Sequence, residues 1–297
     1  ITLIPQDATA FNKRAGIYES VKKYDQAIAD VGQVITLYPQ DAKALYNRAR
    51  IYEVVKKYDQ AIADYNQIIT LNPQDATAFI YRGNIYKILK KYDQAMADYD
   101  QVITFNPQYT RAFIYRGITY RALKMYDQAI ADYDQVITLN PQEATAFFYR
   151  GNVYNDLEKH DQAIADYDQA ITLNPKYTDA FYNRGATYTA LEKYDQAIAD
   201  YDQAIRLDPQ DADIFNNRGL TYLALEKFDQ AIADFNQAIK LNPQYAAAFF
   251  NRGSLYKAFG KTDQAIADYE SVIRLAGSEH QSEIPAVKQM IEDLRLK

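Results

Sequence analysis

Eight of the nine prolines in this 297-residue chain stand on one grid: Pro5, Pro39, Pro73, Pro107, Pro141, Pro175, Pro209 and Pro243 are 34 residues apart, and Pro285 alone is off it. A period of that length makes each unit one supersecondary element that cannot bury its apolar face alone, so the units must stack and share a core. That overrides the two-globular-domain expectation carried by a length of about 300 residues. Seven leading residues, eight units of 34 and eighteen trailing residues account for all 297. Numbered 1 to 34, with proline at position 32, the units are 8–41, 42–75, 76–109, 110–143, 144–177, 178–211, 212–245 and 246–279.

Within a unit, apolar residues recur at helical spacing over positions 2 to 14 and again over 18 to 31, with a short polar link such as Lys90-Lys91-Tyr92 between them. Each unit therefore reads as a helical hairpin. Positions 4, 8 and 11 make an i, i+4, i+7 stripe on the first helix, seen as Phe79, Gly83 and Tyr86 in the third unit. Gly or Ala at position 8 admits close approach of a second helix. That second helix is expected to open on an N-capping Asp at position 18 (Asp25, Asp59, Asp93 and on to Asp263) and to stop at Asn-Pro or a near variant.

Composition removes several classes of function. The absence of Cys excludes a thiol nucleophile, a Cys-ligated zinc and an iron–sulfur cluster, and two His cannot populate a histidine-rich metal site, so no cofactor is expected. With 33 Lys+Arg against 39 Asp+Glu, the net charge of −6 gives no global pull toward nucleic acid or anionic lipid. No apolar run is long enough to span a bilayer. The chain opens Ile1-Thr2-Leu3-Ile4-Pro5, without Met or a basic leader, and residues 1–7 read as positions 28 to 34 of a truncated preceding unit. The cellular address stays open, with the cytoplasm as default.

A 34-residue hairpin with an aromatic at 4, Gly at 8, Tyr at 11, Ala at 20, an aromatic at 24 and Pro at 32 resembles the tetratricopeptide repeat (TPR), and the resemblance covers residues 8–279. Departures are Phe or Leu for Trp at 4, Arg for Leu at 7, and Val or Ile for the usual small residue at 27. The resemblance implies an all-α, right-handed α-solenoid of eight hairpins. Residues 280–297 read as a linker and capping helix, because Ile284, Val287, Ile291 and Leu294 share one helical face.

Arginine fills position 7 in every unit (Arg14, Arg48, Arg82, Arg116, Arg150, Arg184, Arg218, Arg252), and helical geometry sets it between positions 4 and 11, inside the apolar stripe. A guanidinium there needs a buried partner. Aspartate at position 23 (Asp30, Asp64, Asp98, Asp132, Asp166, Asp200, Asp234, Asp268) supplies one, so an eight-rung Arg–Asp ladder is expected, serving helix registry more than stability. Of the 28 tyrosines, those at positions 11, 17 and 24 read as core. His160 and His280 have no Ser or Asp constellation around them, and the chain reads as non-catalytic.

Function in such solenoids is expected on the concave wall, here at first-helix positions 2, 5, 6, 9, 12 and 13, which vary between units. Position 6 carries Asn47, Asn183, Asn217 and Asn251, and this resembles the asparagine ladder with which TPR superhelices grip an extended peptide. An amide side chain can donate to a peptide carbonyl and accept from its N–H. Tyr81, Tyr115 and Tyr149 take the same position in the third to fifth units, flanked by Ile80, Ile114, Ile118 and Phe148, an apolar cluster expected to be covered by a ligand. Lys13, Lys43, Arg50, Lys87, Arg111 and Arg121 against Glu19 and Glu53 make the first four units' groove basic, whereas Lys257 against Asp156, Asp179 and Asp213 makes the last four acidic. The expected partner is a protein or peptide segment with an acidic, apolar stretch.

Position 5 holds no basic residue, so the family's carboxylate clamp for a chaperone's C-terminal Glu-Glu-Val-Asp tail is not expected. The alternatives are the substrate-recruiting arm of a larger enzyme such as a glycosyltransferase, and a self-assembling scaffold joined through an uncapped N-terminal end that includes Ile1 and Leu3. The acidic balance disfavours nucleic acid and membrane as partners.

Overall fold

The computed structural model describes residues 8–275 and 284–296. Among them every regular element is an α-helix, and sixteen of the seventeen pair in chain order into eight hairpins. The pairs are α1 (Ala8–Ser20) with α2 (Tyr24–Leu37), α3 (Ala42–Val54) with α4 (Tyr58–Leu71), α5 (Ala76–Ile88) with α6 (Tyr92–Phe105), and α7 (Thr110–Ala122) with α8 (Tyr126–Leu139). They continue with α9 (Ala144–Asp156) and α10 (His160–Leu173), α11 (Thr178–Ala190) and α12 (Tyr194–Leu207), α13 (Ala212–Ala224) and α14 (Phe228–Leu241), α15 (Ala246–Ala258) and α16 (Thr262–Leu275). The last helix, α17 (Ile284–Arg295), packs on α16 and buries Val287, Ile291 and Leu294. Two compact bodies divide the chain, one closing at Gln142 and the other opening at Glu143. Each is an all-α solenoid of four hairpins. Ile1–Asp7, Gly277 and His280 lie outside the described residues.

Each helix end follows from local sequence. The first helix stops at a residue with φ of +55 to +59° at position 15 (Lys22, Lys56, Lys90, Lys124, Glu158, Glu192, Glu226), replaced in the last repeat by Gly260. Around Lys90, the N–H of Lys91 donates to Tyr86 O at 2.8 Å and that of Lys90 to Lys87 O at 2.9 Å, the bond pattern that closes a helix on a left-handed residue. The second helix stops where Asn72 turns extended (ψ 94°), as the residue before Pro73 must.

The position-18 aspartates do not cap. Helices α4 and α6 open one residue earlier than expected, at Tyr58 and Tyr92, and their N-caps Lys57 and Lys91 make no side-chain capping bond. Asp59 and Asp93 therefore sit inside the first turn, where their negative charge complements the positive end of the helix dipole instead of capping a backbone N–H. Capping aspartates belong to the first helices: Asp41 and Asp75 accept from the N–H groups of Ala44 and Ala78 at 3.1 and 3.0 Å.

Packing within a hairpin rests on small residues. Ala78 and Ala95 are fully buried at the helix contact, and Gly83 leaves the seat for the Tyr99 ring, since a Cβ there would lie 2.7 Å from Tyr99 Cε1. Position 10 faces the preceding hairpin: Ile51, Ile85 and Thr119 are buried in the first body, and Thr187, Thr221 and Leu255 in the second. First helices also approach one another, α5 with α7, α9 with α11, and α11 with α13, so they form the inner layer of each body.

Candidate functional site

In all eight hairpins the position-7 guanidinium grips the position-23 carboxylate two-pronged, each oxygen accepting at 2.5–2.9 Å. The aspartates are buried and the arginines largely covered. The guanidinium also lies 5.3–5.9 Å from the rings at positions 4 and 11, as Arg82 does between Phe79 and Tyr86. A third contact escapes the sequence reading. The free Nη1 reaches position 25 of the preceding hairpin: Arg82 to Asn66 (2.5 Å), Arg116 to Asp100 (2.6 Å), Arg218 to Asp202 (2.5 Å), Arg252 to Asn236 (2.5 Å), and Arg184 to Asp168. Burial by itself lowers the basicity of Arg116, but its bonds to Asp132 and Asp100 outweigh that and hold it protonated more firmly than free arginine. The position-23 carboxylates of this array are buried, whereas position-25 acceptors such as Asp100 and Asp168 are about half-exposed.

The inner layer is less open than the sequence suggests. Ile80, Ile114 and Phe148 at position 5 are buried, which corrects the expectation that Ile114 and Phe148 stand on an exposed wall. Phe148 packs on Tyr167 and Tyr177 at 6.2 and 4.8 Å, because position 5 turns toward the second helix and the hairpin boundary. Tyr81 is 41% exposed, while Ile118, Tyr115 and Tyr149 are half-buried. The charges are also partly committed. Arg50 pairs with Glu19 through both Nη atoms, at 2.7 and 2.9 Å. Lys87 Nζ lies 5.6 Å above the Tyr115 ring, and burial lowers its pKa. Arg111 is exposed and Arg121 half-buried.

In the second body the position-6 asparagines each donate one amide N–H to the hairpin before: Asn183 to Asn152 Oδ1 at 2.8 Å, Asn251 to Asn216 Oδ1 at 2.9 Å, and Asn217 to the Tyr182 hydroxyl. Each bond fixes the amide plane and leaves one N–H and the carbonyl oxygen for a further partner. Asn47 lies instead in the first body, beside a recess of about 390 Å3 walled by Tyr46, Tyr65, Tyr81, Arg50 and Glu53. His160 Nδ1 faces Asn155 Oδ1 at 3.2 Å, and the same oxygen accepts from the Thr187 hydroxyl at 3.1 Å. Among the described residues, no group of three His, Cys, Asp or Glu is placed to hold a metal, and no helix is long and apolar enough to cross a membrane.

Comparison with known families agrees with this architecture. Profiles described as tetratricopeptide repeat match residues 8–41, 42–75, 76–109, 110–143, 212–245 and 235–267, and one described as TPR repeat matches 151–191 and 185–226. Among solved structures, a tetratricopeptide repeat protein from Parabacteroides merdae ATCC 43184 superimposes with TM-score 0.66 at 19% identity, covering 85% of this chain and 99% of that one. A chain of the APC/C hetero-tetramer Cut9–Hcn1 gives TM-score 0.65 at 16% identity, over 99% of this chain and 57% of that one. MamA gives TM-score 0.50 at 25% identity, over 55% of this chain and 96% of the other. A search of the curated proteins finds no match.

Proposed function

We propose, for a chain that belongs to the tetratricopeptide repeat family, that the inner layer binds an extended segment of another protein and that the chain acts by binding, not by catalysis. Repeats of this family generally mediate protein binding. The observation that carries the reading is the row Asn183, Asn217 and Asn251. Three successive first helices present a side-chain amide whose plane is already held by one hydrogen bond to the hairpin before. Pre-held amides lose little freedom on binding, and each can pair with peptide backbone whatever its side chains, for about 0.5–1.5 kcal/mol net per bond. Specificity then comes from the variable neighbours. On the first body Arg50 is already bonded to Glu19, while Lys13, Lys43 and Arg111 are exposed.

The test is selection of binding peptides from a random display library, followed by titration of Asn183→Ala, Asn217→Ala and Asn251→Ala. Each substitution is expected to weaken selected peptides by roughly two- to tenfold. Unchanged affinity in all three overturns the reading.

A further inference from the structure

The second hairpin differs from its neighbours at the wall of the recess beside Asn47. Wherever position 24 is tyrosine, position 8 is glycine, except here, where Tyr65 faces Ala49. A ring seated like Tyr99 would lie 2.7 Å from a Cβ at position 8, so Tyr65 cannot take that seat. In the third, fifth and eighth hairpins the position-24 hydroxyl bonds position 9, as Tyr99 to Asn84 at 2.9 Å, Tyr167 to Asn152 at 2.8 Å and Tyr269 to Ser254 at 3.2 Å. In the second it donates to Glu53, at position 12, at 2.5 Å. Tyr65 meets Tyr46 and Tyr81 at centroid distances of 5.9 and 5.8 Å, contacts that recur between the same positions as Tyr182–Tyr201 at 6.0 Å and Tyr99–Tyr115 at 6.1 Å, and here Tyr46 also meets Tyr81 at 6.4 Å.

We infer that this recess takes the positively charged side chain, lysine or arginine, of a bound polypeptide. Tyr46, Tyr65 and Tyr81 line the recess, and an aromatic ring attracts a cation placed over its face. The ionised groups in or bonded to the wall are Arg50 against Glu19, Glu53 and Asp75, one minus three, or −2. Arg50 is already gripped by Glu19, and Asp75 accepts from the Tyr46 hydroxyl at 2.6 Å. Glu53 receives one hydrogen bond, from Tyr65, and keeps acceptor capacity that an entering cation can use. Burial holds the Glu53 pKa above the ordinary carboxylate value, against the pull of Tyr65 and Arg50, so its charge is under-compensated in the free protein. An acidic side chain would meet the same carboxylate and ring faces and be repelled.

The inference rests on the proposed polypeptide binding, and the experiment separates the two. N-acetyl-lysine methylamide, N-acetyl-arginine methylamide and N-acetyl-glutamate methylamide are titrated into the labelled full chain, with backbone amide signals of Asn47, Glu53 and Tyr81 followed by NMR. Both basic probes are expected to shift these signals saturably and the glutamate probe not to. Glu53→Gln, which keeps an acceptor for Tyr65, and Tyr81→Ala are each expected to weaken the basic probes by about three- to tenfold. An equal response to the glutamate probe, or basic-probe affinity unchanged in Glu53→Gln, overturns the inference. Library-selected peptides that bind wild type and Glu53→Gln alike also overturn it while leaving the amide row's role intact. Saturable basic probes with no selectable peptide support the recess and remove the broader reading.

Discussion

Arg116 Nη1 donates to Asp100 Oδ1 at 2.6 Å across a hairpin boundary, while its Nη2 donates to Asp132 of its own hairpin at 2.6 Å. One guanidinium thus closes its hairpin and ties it to the one before. The two carboxylates are not equivalent, for the Asp132 side chain is 6% exposed and that of Asp100 is 50% exposed. A repeat protein's cooperativity lies in such nearest-neighbour links, so the arginine couples folding of adjacent hairpins.

Asp132→Ala is expected to lower stability by about 3–5 kcal/mol, since it leaves a largely covered guanidinium without its main partner. Asp100→Ala is expected to lose under about 1 kcal/mol, because water replaces a half-exposed acceptor. Urea unfolding followed by circular dichroism measures both. Replacing Arg116 and Asp132 together with leucine should lose less than Asp132→Ala alone. A larger loss at Asp100 than at Asp132 would reverse the assignment of the buried partner.

Gly32 interrupts the inter-hairpin series. It occupies the position-25 site that Asn66 and Asp100 fill in the next two hairpins, and an added Cβ there would lie 3.9 Å from Arg48 Nη1. Gly32→Ala removes a helix-interior glycine and should gain about 0.5–1 kcal/mol. Gly32→Asn supplies the missing acceptor as well. Its excess over the alanine variant should vanish in an Arg48→Lys background, which lacks the two-pronged grip, and a thermal-melt cycle of the four proteins reads the coupling directly.

The hairpin architecture was legible because its causes are local. Proline at 32 ends one helix by its effect on the preceding residue, and the apolar stripes alternate within each 34-residue unit. The Arg82–Asp98 partnership was legible too, since a charge on an apolar stripe must find an opposite charge at a recurring place. The Arg82–Asn66 contact was not, because it depends on how one hairpin is rotated on the next, which no single unit encodes. Ile114 and Phe148, which a helical wheel sets beside exposed Tyr81, are buried because position 5 turns toward the second helix of its own hairpin, as the contacts of Phe148 with Tyr167 and Tyr177 show. Asp59 was read as a cap when Lys57 holds that place, a shift that stems from the left-handed Lys56 and not from side-chain capping. In the recess the readable signal was Ala49 opposite Tyr65, a mismatch visible only by comparing units.

Left-handed lysine or glutamate at position 15 carries a steric cost that glycine avoids, and Gly260 already takes the place in the last hairpin. Lys90→Gly is therefore expected to raise stability by up to about 1 kcal/mol, and Lys90→Val to lower it by about as much or more. Thermal melts decide between this and a surface-charge effect, for Lys90→Gln should leave the melting temperature nearly unchanged. A gain from glutamine equal to that from glycine would attribute the effect to charge.

Glu53 lies above the ordinary carboxylate value of 4.5 because burial penalises its charge more than the Tyr65 hydrogen bond and Arg50 relieve it. A carboxylate raised in the fold favours folding while protonated, a contribution complete below the unfolded value and lost as pH climbs through the folded one. Glu53→Gln stays neutral throughout and keeps an acceptor for Tyr65. The variant should accordingly melt with wild type at about pH 4 and above it at about pH 7, the gap opening across the carboxylate range. N-acetyl-lysine methylamide at saturating concentration should narrow the gap at neutral pH by stabilising wild type more than the variant, since a ligand that binds the folded state adds stability with its affinity. Melting curves that coincide at both pH values would mean that the Glu53 carboxylate is fully compensated without a ligand, and that the recess has no electrostatic demand for a cation.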